Sequence, residues 1–222
     1  MRGKKSFTMV ELLIIIAIIT ILGSFLLPAF SSGVNQARLA ACRGNQHQIG
    51  TALQMYTAEN SGIIPNNISG MEKASIPLLR MPDNNIIALG RLLNGYIKCA
   101  HIFGCPDSPG FREHDVDTAW QNTPMVWSAY LYRAQDNNFD PLLSAPENQD
   151  KAILADFACI KPSGNITPHD LLMCNLLYSD GHVESRRNTP EPFEIYTLQA
   201  RMHGEMIPDC STVWLNADKS DW

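Results

Sequence analysis

Three residues invite a metal or catalytic reading. His169, Asp180 and His182 carry the side chains that bind zinc or shuttle protons. Their spacing adds nothing to that reading, because the chain holds neither HExxH nor a CxxC pair, and Asp180-Gly181 is accounted for by turn geometry. No Ser-His-Asp or Cys-His order, phosphate loop or paired-acid motif stands out, so no enzyme and no metal ligand set is expected.

Glu11 poses a different problem. Arg2, Lys4 and Lys5 precede it, and from Leu12 to Leu27 there is no ionisable side chain. At helical rise that run covers most of a hydrocarbon core about 30 Å thick. The chain therefore begins in a membrane, with the basic flank holding its short N-terminal end on the cytoplasmic side. A carboxylate near lipid costs a few kcal/mol unless it is paired or interfacial. Either Glu11 has a partner, or it sits at headgroup level a few residues from Lys5.

Beyond this stretch lie about 190 residues, enough for one modest domain with its own core. Formal charge is −5 for the whole chain, and removing the +3 of Arg2, Lys4 and Lys5 leaves −8. A nucleic-acid partner is disfavoured, since phosphate binding needs a basic face. Six cysteines, at 42, 99, 105, 159, 174 and 210, fall in the part expected outside the cytoplasm, where disulfides persist. Sequence does not choose among their pairings. Cys42 with Cys105 is the first candidate, one on the N-terminal helix and the other in a turn that must pack somewhere.

The elements follow from periodicity. Cys42, Asn45/Gln46, Ile49, Leu53 and Tyr56 form one helical stripe, so a single helix is expected from about Phe7 to about Glu59. Asn60-Ser61-Gly62 stops it, with Gly or Asn in the left-handed cap, and Pro28 predicts a kink or local melting. Residues 61–85 read as loop and Ile86–Leu93 as a short helix closed by Asn94-Gly95. Met125–Tyr132 predicts one strand and Lys151–Ala158 another. Cys174–Ser179 and His182–Ser185 flank Asp180-Gly181, which predicts a hairpin with a two-residue type I′ turn. The aromatic faces of Trp120, Trp127, Trp214 and Trp222 suit either core packing or a platform for sugars or a protein. Core is favoured for Trp127 and exposure for Trp222.

The segment Phe7-Thr8-Met9-Val10-Glu11-Leu12-Leu13 behind a short basic leader resembles the N-terminus of type IV pilins and type II secretion pseudopilins. The resemblance implies that a prepilin peptidase cuts between Ser6 and Phe7, that the new amine is methylated, and that Glu11 serves assembly by pairing with the amine of an adjacent subunit. Pro28 fits the family helix. The family usually has Gly before the Phe, and here that residue is Ser6. More weakly, 42–56 with Gly62 and Pro65, 103–107, and 175–183 look like a large group of bacterial pilin-like proteins ending in an Asp-Gly-His hairpin. Some pseudopilins carry calcium in a C-terminal loop, for which Asp209, Asp218 and Asp221 are available, although no EF-hand-like pattern accompanies them.

The fold implied is α+β: a long N-terminal helix, its first half membrane-spanning, packed on a small head with a short antiparallel sheet. Its parts are a leader (1–6), a membrane and assembly segment (7–29), the second half of the helix (30–60) and a globular head (61–222). The partners implied are prepilin peptidase, membrane lipid before assembly, an inner-membrane assembly platform, and other copies of the chain or related subunits. The precursor is expected in the inner membrane with a periplasmic head, and the product in a surface or periplasmic filament. The alternative is a membrane-anchored binding protein that never polymerises and captures a glycan or protein. An ordinary cleaved signal ending near Ala29-Phe30-Ser31 is opposed by the length of the apolar run and by Glu11 within it.

Overall fold

The computed structural model describes residues 8–65, 77–93, 95–107, 113–133, 151–156, 159–161, 164–166, 173–187, 201–202, 205–206, 214 and 217–218. Two compact units divide the chain at Ala37/Arg38. The opening helix, α1, runs Met9–Glu59 and contributes to both. Its backbone is helical at Pro28, so the expected melting does not occur; the side chain there lies outside the described residues. Proline removes one intrahelical hydrogen bond, and the Leu- and Ile-rich turns before it supply the rest.

The helix ends in a Schellman-type cap. The Gly62 amide donates to the Thr57 carbonyl at 2.8 Å, and Ser61 and Gly62 both have positive φ, 57° and 82°. Ser61, not Gly or Asn, takes the first left-handed position. The carbonyls left unpaired at the helix end outweigh the strain of one serine there.

From Arg38 onward the unit is α+β. Cys42, Gln46, Ile49 and Leu53 are buried along one stripe of α1. They face an antiparallel sheet ordered β3-β4-β7-β8, with β3 Tyr130–Tyr132, β4 Ala152–Asp156, β7 Met173–Tyr178 and β8 Val183–Arg187. Alternation along the strands sorts the two faces: Leu154 and Leu177 join α1 in the main core, while Ala155, Leu176 and Tyr178 pack with Trp214 and Ala217 on the other side. Gly50 lets helix and sheet approach, for a Cβ there would lie 2.8 Å from Leu177 Cδ1. A smaller antiparallel pair, β1 (Leu78–Arg80) with β2 (Val126–Trp127), packs with the 3₁₀-helix Ala88–Leu93. Helix α2 (Glu113–Asn122) lies against a second 3₁₀-helix, Ala100–Phe103. Four further short strands form two antiparallel pairs: β5 (Cys159–Lys161) with β6 (Gly164–Ile166), and β9 (Arg201–Met202) with β10 (Glu205–Met206).

Three local expectations change. Met125–Tyr132 is two strands, because Ser128 interrupts it: its amide donates to Pro77 O, its hydroxyl to Phe103 O, and it accepts from the Tyr130 amide. A serine that satisfies backbone groups itself competes with the ladder. The short helix begins at Ala88 and is 3₁₀. The hairpin is not type I′: Tyr178 and His182 close a three-residue loop, with Tyr178 N donating to His182 O and Gly181 N to Tyr178 O. Of Asp180 and Gly181 only the glycine has positive φ, +93°, as in a loop ending in a glycine bulge.

Candidate functional site

The start of α1 is a reciprocal cap. The Thr8 amide and hydroxyl donate to Glu11 Oε2 at 2.9 and 2.8 Å, and the Glu11 amide donates to Thr8 Oγ1 at 3.2 Å. This is a capping box, with Thr8 as N-cap and Glu11 three residues on. The carboxylate also sits where the helix dipole favours negative charge. Glu11 is thus satisfied within its own chain, by donors that a competing ammonium group can replace. The Thr-x-x-Glu spacing of Thr8 and Glu11 is the sequence signal of this box, which the resemblance to the family, resting on the acid, does not include. Ser6 and Phe7 lie outside the described residues.

The helix that follows presents apolar side chains all round: Leu12 is 54 % exposed and Phe25 73 %. It is long and apolar enough to cross a membrane by length and composition. Its few hydroxyls turn back on the helix, Thr20 Oγ1 donating to Ala17 O at 2.8 Å and Ser24 Oγ to Ile21 O at 2.7 Å. Such self-satisfaction is what a segment without water requires.

In the head, Cys42 and Cys105 form a disulfide across 63 residues of sequence. Arg38 pairs with Asp107 at 3.0 Å, and Asn45 Nδ2 donates to Gly104 O at 3.1 Å. Of the other cysteines, Cys174 is free and buried, its thiol pushed well up by burial, and Cys99 is free and exposed. Cys99 lines a groove of about 360 Å³ with Gln48, Met55, Tyr96, Lys98 and His101.

The hairpin turn is docked on α1. Gln54 Nε2 donates to Asp180 O at 2.8 Å, and a Cβ on Gly181 would meet the same amide at 2.5 Å. His182 Nδ1 lies 2.6 Å from Asp180 Oδ1, and its ring stacks on Tyr178 with centroids 4.3 Å apart. Burial pushes the Tyr178 phenol up to about 12. Among the described residues Asp180 and His182 thus meet each other and no third ligand, and His169 lies outside them. Asp218 is engaged by Arg133 at 2.9 Å and by the Ala152 amide at 3.0 Å; Asp209 and Asp221 lie outside. Among the described residues no group of three or more His, Cys, Asp or Glu side chains is placed to hold a metal.

A polar cluster at the α1–sheet interface went unread in the sequence. Gln46 Nε2 donates to Asp156 Oδ1 at 2.9 Å and to Asn175 O at 3.1 Å, the Asn175 amide donates to Asp156 Oδ2 at 2.8 Å, and Ser185 Oγ donates to Asn175 Oδ1 at 2.6 Å. Positions 110 or more residues apart meet there, and no local pattern announces it. Of the tryptophans, Trp214 is buried under Arg133, Trp120 lies half-buried under Arg80, and Trp127 is half-buried beside the main core. Trp222 lies outside the described residues.

Residues 1–27 match the family described as Prokaryotic N-terminal methylation motif. The chain is similar to the type II secretion system core protein G of Pseudomonas aeruginosa (strain PAO1), 28 % identical over 97 residues. That match covers 44 % of this chain and 65 % of the relative's length. No solved structure matches. The N-terminal motif and the similarity to that core protein support a pilin-like or pseudopilin-like reading of this α+β chain.

Proposed function

We propose that the chain is a structural subunit of a type IV pilus-like or type II secretion pseudopilus-like filament. The observation that carries this reading is the Thr8–Glu11 box at the head of an exposed, uncharged apolar helix. In the membrane precursor the box keeps the carboxylate satisfied, so that it is tolerated near lipid. A prepilin peptidase cuts between Ser6 and Phe7 and releases an amine four residues before Glu11 in sequence. On joining a filament, Glu11 exchanges the Thr8 donors for the ammonium group of a neighbouring copy, so that a contact of charge with dipoles becomes a pairing of two full opposite charges. Residues 12–27 then pack helix on helix, each Å² of apolar surface removed contributing about 25 cal/mol.

Similarity to a type II secretion core protein supports the pseudopilus form of this reading, with an inner-membrane assembly platform as partner and a periplasmic head. The test is the N-terminus of the mature protein: N-methylated Phe7 is expected. Met1 retained would point to a permanent anchor carrying a binding head, and a start near Ser32 to ordinary secretion.

A further inference from the structure

Three contacts join one face of α1 to one short loop. Arg38 meets Asp107, Cys42 is bonded to Cys105, and Asn45 donates to Gly104 O. The helix positions are spaced i, i+4 and i+7, so they share a face, and the loop positions run the opposite way. The compact head begins at the first of these residues, Arg38.

Among the described residues little else holds this stretch. Between Arg38 and Asn45 the one fully buried side chain is Cys42 itself, and the large aliphatic anchors of α1 begin at Ile49. Leu39 is half-buried, and Arg38 keeps 48 % of its side chain exposed, where an ion pair contributes little. The buried anchors after it start at Gln46, which is bonded to Asp156.

We propose that the Cys42–Cys105 bridge is an oxidation-dependent clamp that sets the first residue of α1 held by the head: Arg38 when the bridge is closed, Gln46 when it is open. Two further turns of helix are freed in the open form, lengthening the arm. The clamp operates whether or not the chain polymerises. Closing it removes two electrons and two protons from the paired thiols and passes them to a disulfide oxidant, which leaves as a dithiol. Both sulfurs are fully buried once docked, so the oxidant acts before the 104–107 loop seats on the helix.

Hydrogen exchange on the full chain in detergent, followed by peptide-level mass spectrometry, tests this. Three samples are compared: oxidised wild type, wild type reduced by a phosphine under unfolding conditions and refolded with the reductant present, and the Cys42→Ser/Cys105→Ser variant. The expected result is at least about a tenfold loss of protection for amides 38–45 in the last two, with protection retained in β4 and β7. Arg38→Ala in the oxidised chain should change the same amides by at most about threefold. The proposal fails if amides 38–45 keep their protection in the reduced wild type and the double variant. It fails equally if β4 and β7 lose protection in step with them, which would make the bridge a global staple, or if Arg38→Ala alone frees the stretch. A native bridge containing Cys99, found by non-reducing peptide mapping, would also overturn it.

Discussion

One helix lives under two regimes. Before Ala37 its large apolar side chains from Met9 to Leu26 are exposed, and Thr8, Thr20 and Ser24 bond within the helix itself: Thr8 to Glu11, Thr20 to Ala17 O, Ser24 to Ile21 O. From Arg38 the helix buries Cys42, Ile49, Ala52 and Leu53, and although Thr51 and Thr57 still turn back on it, other polar groups reach distant elements: Arg38 to Asp107, Asn45 to Gly104, Gln46 to Asp156, Gln54 to Asp180. The difference is one of solvent. A segment long and apolar enough to cross a membrane meets little water there, so it must satisfy its polar atoms alone. A segment inside a folded head can leave that task to distant parts of the chain.

The comparison breaks first at Glu11. Glu11→Ala should lower incorporation into filaments by at least about tenfold, equivalent to about 1.4 kcal/mol or more of subunit affinity, as read from the sheared surface fraction. Wild-type incorporation by this variant would leave the capping box as the whole role of the acid. Its counterpart in the head is the disulfide, which closes a loop of 63 residues. Cys42→Ser/Cys105→Ser should free amides 38–45 by about tenfold or more while β4 and β7 stay protected, read by hydrogen exchange on the detergent-solubilised chain.

Smaller effects sharpen the contrast. Gln46→Ala removes two donors from a buried cluster and should cost about 1–3 kcal/mol, again by denaturant titration. Thr8→Val keeps the shape of the side chain but loses the cap; about 1 kcal/mol of helix stability should go, seen as fraying by hydrogen exchange near Glu11. Under native conditions a maleimide should label Cys99 and spare Cys174, whose thiol is buried and held protonated. Tyr178 supplies a pH signature. Its folded pKa is raised above the ordinary 10, so its contribution is complete below about pH 10 and is lost as pH climbs towards 12. Tyr178→Phe should flatten that alkaline loss of stability.

Much of this was legible locally. The stripe through Cys42, Ile49 and Leu53 gave α1 its buried face, and the absence of charge from Leu12 to Leu27 marked the exposed part. Asp180-Gly181 marked a hairpin but not its turn type, because loop length is settled by where Tyr178 and His182 pair across the strands. Met125–Tyr132 has the composition of one strand and forms two, since Ser128 finds partners in Pro77 and Phe103 that lie far off in sequence.

What the sequence determined by itself are the features with a short period: the long helix, its uncharged opening, the Thr8–Glu11 box and the hairpin. Each depends on residues within a few positions of one another, where spacing is equivalent to geometry. The tertiary structure alone decided where α1 becomes part of the head, that Asp156 joins Gln46 to Asn175, and that Ser128 divides a strand. Those outcomes depend on which remote groups arrive in reach, and a buried polar atom takes whichever partner the packed chain brings to it.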